Sequence, residues 1–407
     1  MKPSLRALSI CACVALSGLL VRSAVAPASY TDRGKLVAGE SQFAVELFRT
    51  LANANPNKNI AVSPYSVSLA LESLALASRG ETQTQIMRAL HIESLPLNRA
   101  LNASRGIREE IEDVEQPDFE LGNQFVGSSS GVEVRPAFQK LLADYFGPNQ
   151  RVFPVDIATG SGQGEATRAI NERTAGLTSR RVLEVVSPNL LRSTDKIVVV
   201  SAASLNGRWA ERLASAEPIT FTTATGKRVA VPQLTSRPAG AILGYLRGVG
   251  WRAVVLPYEG ARVSMVLVLP DPGQLAKVQR VFDRTMLENI VLDSRKKKVL
   301  FDAPIFGADL RVDDLGGVLA ELGVTSIFSR ARADLTPVTG TRGLAVDAAV
   351  HYGALRFTAD AETAGGARPS IPADQSVTID RPFLYAVVDR PTGTVLFLGR
   401  VLDPSAD

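Results

Sequence analysis

The chain has 407 residues, 45% of them hydrophobic and 21% charged, a globular composition that excludes disordered, collagen-like and coiled-coil classes. Its two cysteines and two histidines exclude a disulfide-dense scaffold and a zinc site built from about four Cys or His ligands. The net charge is +4, from 45 Lys and Arg residues minus 41 Asp and Glu residues. We expect no metal, no cofactor and no nucleic-acid partner.

The N-terminal segment has the three-part form of a secretory signal peptide. Lys2 and Arg6 precede an apolar stretch over residues 7–20. Small residues follow, and we favour cleavage after Ala28, because Pro27 hinders cleavage at the earlier small-residue site. The alternative, a membrane anchor, needs an apolar span of about 20 residues, which is longer than this stretch. The sequence therefore predicts a secreted, extracellular protein.

Removal of this signal peptide, residues 1–28, changes the charge and the cysteine count. The segment contains three basic residues and no acidic residue, so the mature charge is 4 − 3 = +1. Cys11 and Cys13 leave with it, and no disulfide remains. We expect residues 29–407 to form one large monomeric domain, without a membrane span, held by its own core. One glycosylation acceptor, Asn102 in Asn-Ala-Ser, fits export.

Hydrophobic spacing predicts helices in the first third of the mature chain. Residues 42–51 place large apolar side chains at helical spacing. Ser63-Pro64 is typical of a helix start, with a Ser cap before a Pro at the first helical position. Further helices are predicted at 81–90, 137–145, 164–174 and 315–322.

The remainder of the chain is mostly strand-like. Residues 197–200 form a continuous β-branched run, the pattern of a strand covered on both faces. Further strands are predicted at 253–257, 263–270, 299–305, 383–388 and 394–401, with turns at 258–260 and 390–393. Helices first and strands later indicate an α+β fold with large antiparallel sheets.

The sequence offers little enzymatic chemistry. It contains no P-loop, GxGxxG or HExxH motif, and we predict no nucleophile elbow. A hydrolase triad needs a histidine, and the two present, His91 and His351, lie at a predicted helix end and before a strand-like stretch. We expect no catalytic residue and no enzyme activity. The sharpest charge cluster, Arg295–Lys298, is either a glycosaminoglycan site or, as we favour, a solvated turn beside a strand.

Ordered segments along the chain resemble the signatures of one family. They are NIAVSPYSV at 59–67, GETQTQI at 80–86, SAASLNGRW at 201–209, LPY at 256–258, SM at 264–265, LP at 269–270, DRPFLY at 380–385 and GTVLFLGRV at 393–401. Together they resemble the serpins, the serine protease inhibitors, over about residues 42–404. Among the serpins, the sequence most resembles the plasminogen-activator-inhibitor-like group.

The resemblance implies a serpin fold, with a helical N-terminal part, a large central β-sheet, further sheets and an exposed reactive loop. It also implies a mechanism. The loop is bait for a serine protease, and after acylation it inserts into the central sheet as a new strand and distorts the protease. The starting fold is then metastable, so its stability is kinetic.

The resemblance places Ser63, Ser66 and His351 at the family's shutter positions beneath the central strands. Ser201 stands where the family usually has an asparagine. A hydroxyl offers fewer hydrogen bonds than an amide, so we expect shutter control to differ from that of relatives. The predicted role of His351 is structural, in a satisfied buried polar cluster.

The reactive loop is expected at about residues 359–376. Its hinge comprises Ala361, Glu362, Thr363, Ala364, Gly365, Gly366 and Ala367. Two registers stay open. Counting positions from His351 onto the family pattern without a gap turns Glu362 and Arg368 toward the protein interior, and burying these charges unpaired would cost several kcal/mol each. A shift by one residue turns only small or compact side chains inward.

The candidates for the reactive bond are Arg368, Pro369 and Ser370. Arg368 suits a trypsin-like protease, yet Arg-Pro bonds are poor substrates, and Pro369-Ser370 is the other register. The loop is also short for an inhibitor, and prolines at 369 and 372 cannot donate to a central ladder. The sequence thus predicts a secreted protease inhibitor. The alternative is a non-inhibitory serpin acting as a carrier, precursor or binding protein.

Overall fold

The computed structural model describes residues 30–148, 150–359 and 372–406. The predicted signal peptide, the seven hinge residues and the three reactive-bond candidates lie outside the described residues. Within them the chain forms an α+β fold of helices packed on two sheets, as predicted.

The described residues contain ten α-helices. They are α1 (Tyr30–Ala54), α2 (Pro64–Leu76), α3 (Gly80–Ala89), α4 (Leu97–Glu112), α5 (Pro136–Phe146), α6 (Gly160–Leu177), α7 (Leu275–Val281), α8 (Arg284–Asp293), α9 (Leu315–Glu321) and α10 (Thr336–Thr339). The predicted cap at the start of α2 is confirmed, because the hydroxyl of Ser63 accepts a hydrogen bond from the N–H of Ser66 at 3.2 Å. Helix α4 was not predicted, since its apolar residues are interspersed with arginines and glutamates.

The same residues contain sixteen strands. They are β1 (Ile60–Val62), β2 (Asp118–Leu121), β3 (Gln124–Ser128), β4 (Val152–Val155), β5 (Ile197–Asn206), β6 (Ala214–Thr222), β7 (Arg228–Thr235), β8 (Ala241–Gly248), β9 (Trp251–Pro257), β10 (Val263–Pro270), β11 (Arg295–Pro304), β12 (Phe306–Val312), β13 (Val346–Phe357), β14 (Gln375–Thr378), β15 (Phe383–Asp389) and β16 (Val395–Val401). The predicted hairpins β9–β10 and β15–β16 are present as antiparallel pairs. Four short strands, β1 to β4, lie among the helices, where we had predicted none.

The six-stranded sheet carries the site. Its order is β12-β13-β5-β3-β4, and β2 also pairs with β5. The long strands β13 and β5 are parallel and pair directly, from Val346 beside Ile197 to Leu355 beside Leu205. Every residue of β5 up to Leu205 is buried, which confirms the prediction of a strand covered on both faces.

The ten-stranded sheet has the order β1-β16-β15-β10-β9-β8-β11-β7-β6, with β14 on β11. Its first strand, β1, lies against β13 of the other sheet. Gly353 permits this close approach, because a Cβ atom there would collide with the carbonyl of Ala61. The contact brings Ser63, just after β1, to the middle of β13.

Three predicted positions are wrong. His351 lies within β13 rather than before it, because the strand extends on both sides of the polar residue. The basic run Arg295–Lys298 forms the first four residues of β11, paired antiparallel with β8, rather than a turn. The C-terminal limit of the predicted loop, 376, overlaps β14, whose residues pair with β11 from Gln375 onward.

Candidate functional site

His351 is fully buried at the centre of the six-stranded sheet. It lies beside Ser201 on β5 and Val312 on β12. Its Nε2 atom accepts a hydrogen bond from the backbone N–H of Ser63 at 3.2 Å. The other ring nitrogen, Nδ1, therefore carries the proton and donates to the hydroxyl of Ser201 at 2.9 Å.

A chain of hydrogen bonds, each donated by one residue to the next, runs from Ser201 through Ser66 to Asn123. Because Ser201 accepts from His351, its own hydroxyl hydrogen points to the hydroxyl oxygen of Ser66, at 2.7 Å. Ser66 in turn donates to Oδ1 of Asn123 at 2.6 Å. The structure thus brings together the four predicted shutter residues, and we call Ser63, Ser66, Asn123, Ser201 and His351 the shutter cluster.

Asn123 is the member that sequence reasoning missed. It lies at the break between β2 and β3, where its Oδ1 accepts the N–H of Ala202 at 3.1 Å and replaces a backbone partner of β5. Its Nδ2 donates to the carbonyl of Ser66 at 2.7 Å. The signal was an asparagine next to a glycine inside an otherwise strand-like stretch. The hydroxyl of Ser201 therefore both accepts and donates a hydrogen bond, and Asn123 supplies the amide group of the cluster.

Burial lowers the pKa of His351 from 6.5 to about 3. The cluster requires this neutral ring, because a protonated Nε2 would point a hydrogen at the N–H of Ser63. The arrangement supports a structural role for His351 rather than acid–base chemistry.

Both ends of the β5–β13 pair are also fastened. At the start of the strands, Oδ2 of Asp347 accepts the backbone N–H groups of Lys196 at 2.7 Å and Ile197 at 3.2 Å. At the far end, the indole N–H of Trp209 donates to the carbonyl of Thr358 at 3.0 Å, three residues before the predicted hinge. Trp209 stacks on Tyr258 with ring centroids 4.4 Å apart. The unopened sheet is therefore held at three levels.

The glycosylation candidate Asn102 lies in the middle of α4 and is half-buried. Its Oδ1 is buried without a hydrogen-bond partner. A glycan needs an accessible side chain, so this position is less favourable than the sequence suggested. Modification of Asn102 stays a prediction.

Residues 127–131, Gly-Ser-Ser-Ser-Gly, match the letters of the nucleophile-elbow pattern but do not form an elbow. Strand β3 ends at Ser128 and the next helix begins at Pro136, whereas an elbow turns from a strand straight into a helix. Neither histidine is placed as a general base for the central serine of this pattern. His91 pairs with Glu46 at 2.9 Å, and His351 belongs to the shutter cluster.

Two other kinds of site were sought in the described ranges. Within residues 30–359, apart from 149, and 372–406, no three His, Cys, Asp or Glu side chains converge as metal ligands would. Over the same ranges no helix has the length and apolar character that a membrane crossing requires.

Comparison with known proteins assigns the family. The family model described as "Serpin (serine protease inhibitor)" matches residues 38–404. The chain belongs to the serpin family. Mouse leukocyte elastase inhibitor A is 25% identical to this serpin, covering 91% of the chain and 100% of the inhibitor. Mouse neuroserpin is also 25% identical, covering 96% of the chain and 95% of neuroserpin.

Solved structures confirm the serpin fold. Human thyroxine-binding globulin superposes on this serpin with a TM-score of 0.82 at 22% identity, covering 92% of this chain and 100% of the globulin. Uncleaved ovalbumin superposes with a TM-score of 0.80 at 19% identity, covering 91% and 100% of the two chains. The family is one of protease inhibitors rather than enzymes. The plasminogen-activator-inhibitor-like subgroup stays a prediction.

Proposed function

We propose that this serpin is exported and inhibits an extracellular serine protease by inserting its cleaved reactive loop between β5 and β13. The observation that carries the proposal is the direct parallel pairing of these two strands. A segment that turns back after Phe357 runs antiparallel to both neighbours. Its insertion replaces one parallel pair with two antiparallel pairs, which are slightly more stable per residue.

The faces of β13 favour one of the two hinge registers. Tyr352 and Arg356 are partly exposed on one face, whereas His351, Gly353 and Leu355 are buried on the other. Cross-strand partners share a face, so inserted charges are tolerated only beside the first group. The proposed register therefore turns Glu362 toward the exposed face.

A three-residue turn over 358–360 produces this register. It places Glu362 beside Arg356, Gly365 beside Gly353 and Ala367 beside His351. The charged Glu362 then meets a guanidinium at the partly exposed face, and the small residues meet the buried one. This is the one-residue-shifted alternative of the sequence, and it avoids the burial of an unpaired Glu362, whereas Arg368 falls beside Val350, which is fully buried.

The non-inhibitory alternative has one observation in its favour. In the proposed register only residues 361–368 insert before Pro369, and β13 is 12 residues long. A loop of this length covers the strand incompletely. The relatives in solved structures include thyroxine-binding globulin in complex with thyroxine, so a carrier function is the second candidate.

The mature protein, produced from a secreting host, is the material for the decisive experiment. It is incubated separately with trypsin, elastase and chymotrypsin and analysed on a denaturing gel and by thermal melting. We expect a detergent-resistant complex with a trypsin-like protease if Arg368 is the bait residue, and a higher melting temperature after cleavage. Cleavage without a complex, and without a change in melting temperature, would rule out inhibition and favour the carrier.

Two charge substitutions separate the registers. Thr363→Arg places a charge on the buried face, so we expect it to abolish the complex and turn the inhibitor into a substrate. Its control, Glu362→Gln, removes only the charge beside Arg356 on the partly exposed face, so we expect it to preserve complex formation. N-terminal sequencing of the secreted chain tests export, with Ser29 as the expected first residue.

A further inference from the structure

The end of strand β5 carries the only Asn-Gly dipeptide of the chain, Asn206-Gly207. Asn206 is the last residue of β5 and is partly exposed, whereas every residue of the strand before it is buried. Gly207 follows outside the strand. The side-chain carbonyl carbon of an asparagine is open to attack by the backbone nitrogen of the next residue, and glycine obstructs that attack least because it has no Cβ.

Neither reacting group is held by a hydrogen bond within the part of the chain that the structure describes. There the side-chain amide of Asn206 has no partner and remains in contact with solvent. The N–H of Gly207 has no acceptor there either. Asn123 is the contrasting case, since its Oδ1 accepts from Ser66 and Ala202 and its Nδ2 donates to Ser66. Asn206 can therefore reach a reactive geometry without losing a hydrogen bond, and Asn123 cannot.

Packing explains why glycine stands at position 207. A Cβ atom there would collide with Pro117 and with the ring of Tyr258. The fold therefore requires the glycine, and the residue at 206 decides whether the dipeptide is reactive.

We propose that Asn206 is a site of spontaneous deamidation. The backbone nitrogen of Gly207 forms a bond to Cγ of Asn206, and the bond from Cγ to the side-chain nitrogen breaks. That nitrogen leaves as ammonia, taking the proton of the Gly207 N–H, and a succinimide ring remains. Water then opens the ring at either carbonyl and leaves aspartate or isoaspartate. Because the two groups belong to adjacent residues, the reaction is intramolecular and needs no enzyme.

The product adds a carboxylate to a face that already carries acidic residues. Asp118 on β2 lies directly opposite Asn206, and Glu120 lies further along the same face. Arg181 already pairs with both acids, at 2.9 Å and 3.0 Å. Like charges directly opposite each other destabilise a pair of strands. Deamidation therefore weakens the pairing of β2 with the end of β5.

A second consequence rests on the proposed inhibitory function. Leu205 pairs with Leu355, so Asn206 is level with Arg356 at the end of the sheet where the loop enters. In the proposed register Glu362 inserts beside Arg356, and residue 206 then lies on its other side. A carboxylate at 206 opposes Glu362 and slows insertion, so the inhibitor changes into a substrate as it ages.

The first test follows the amide of Asn206 and needs no target protease. The uncleaved mature protein is aged in mildly alkaline buffer, where the backbone nitrogen is the better nucleophile, and its peptides are analysed by mass spectrometry. We expect Asn206 to form aspartate and isoaspartate at least about tenfold faster than Asn123, which must first give up its hydrogen bonds. Equal rates at the two positions would overturn the proposal. So would an intact Asn206 in the folded protein under conditions in which the unfolded chain loses this amide.

The second test measures the consequence with substitutions. Asn206→Asp installs the aspartate product, and Asn206→Gln is the neutral control. With a trypsin-like protease we expect Asn206→Asp to give more cleaved, uncomplexed serpin than the control, and Glu362→Gln in the same chain to reverse the change. Equal partition in Asn206→Asp and its control would overturn the ageing effect.

A failure of the proposed function has a different signature, because the wild type then forms no complex at all. Urea unfolding still reports the new charge in that case. We expect Asn206→Asp to unfold at lower urea than Asn206→Gln, since only the first places a carboxylate opposite Asp118. Equal midpoints would overturn the weakening of this strand pair.

Discussion

Arg330 and Asp347 form an ion pair of 2.6 Å at the edge where β5 and β13 begin. Asp347 lies in the bulge between Val346 and Ala348, and its second oxygen accepts two backbone N–H groups from the β5 side. The carboxylate therefore fills the break that the bulge makes in the ladder. The ion pair is the smaller part of this contact, since the Arg330 side chain is 48% exposed.

We expect Asp347→Ala to lower the free energy of unfolding by about 2 kcal/mol, because two backbone donors lose their acceptor. Urea unfolding monitored by circular dichroism measures the change. The matched control, Arg330→Met, removes only the exposed partner and should cost less than about 1 kcal/mol. Equal losses in the two variants would show that the ion pair, not the backbone contact, fastens the strands.

The neutral state of His351 makes stability depend on pH on the acid side. Its folded pKa of about 3 lies below the ordinary value of 6.5. The unfolded chain therefore takes up a proton first, and stability is lost as the pH falls from 6.5 toward 3. The loss amounts to about 2 kcal/mol at about pH 5.

The measurement compares wild type with His351→Asn by urea unfolding at about pH 7.5 and about pH 5. We expect the variant to be less stable at the higher pH and the difference between the two proteins to shrink at the lower one. A difference that stays constant across this range would contradict a neutral buried imidazole.

A buried carboxyl pair produces the opposite dependence on the alkaline side. Glu72 on α2 is 1% exposed, accepts the hydroxyl of Ser104 at 2.5 Å and lies beside Glu40 of α1. Burial raises the pKa of both carboxyls, that of Glu72 from 4.5 to about 8. The other ionisable groups around the pair are Tyr65, Arg108 and Glu112.

Because the folded pKa of Glu72 is raised, its contribution to stability is full below 4.5 and is lost as the pH rises toward 8. We expect wild type to lose about 2 kcal/mol relative to Glu72→Gln between about pH 6.5 and pH 8. Chemical denaturation at these two values measures the change, and the contribution of His351 cancels because both proteins contain it. Parallel pH curves for the two proteins would contradict a protonated Glu72.

Trp209 is placed to report on the reactive loop. Its indole N–H binds Thr358, and the other tryptophan of the chain, Trp251, lies in β9 of the ten-stranded sheet. In a Trp251→Phe variant, we expect loop cleavage to shift the fluorescence maximum, because strand insertion displaces Thr358. An unchanged spectrum after complete cleavage would indicate that the end of β13 does not move.

The basic run provides a test of polyanion binding. Arg295 and Lys296 are exposed at the start of β11, and none of Arg295–Lys298 has an ion-pair partner among the described residues. We expect Arg295→Glu with Lys296→Glu to elute from immobilised heparin at lower salt. The control carries Lys35→Glu, on the exposed surface of α1. If both variants lower the elution salt by the same amount per substituted charge, the effect reflects the net charge of the protein and not a site at Arg295–Lys298.

Local patterns predicted the elements that depend on local chemistry. The cap at Ser63, the β5 core strand and the hairpins needed only neighbouring residues. Asn123 was missed because its role depends on Ser66 and Ala202, which are distant in the chain and meet only in the folded sheet. Helix α4 and the start of β11 were missed because charged residues obscure their periodicity.

In the proposed inhibitory mechanism, the length of the loop limits how far a captured protease is carried. In the proposed register the last inserted residue, Arg368, comes to rest beside Val350, short of the Asp347 contact. A strand of eight residues advances about 26 Å, whereas full coverage of β13 needs about 40 Å. A protease acylated at Arg368 would therefore stop beside the middle of β13. The strands β5 and β13 would remain paired at the end where they begin, near Asp347.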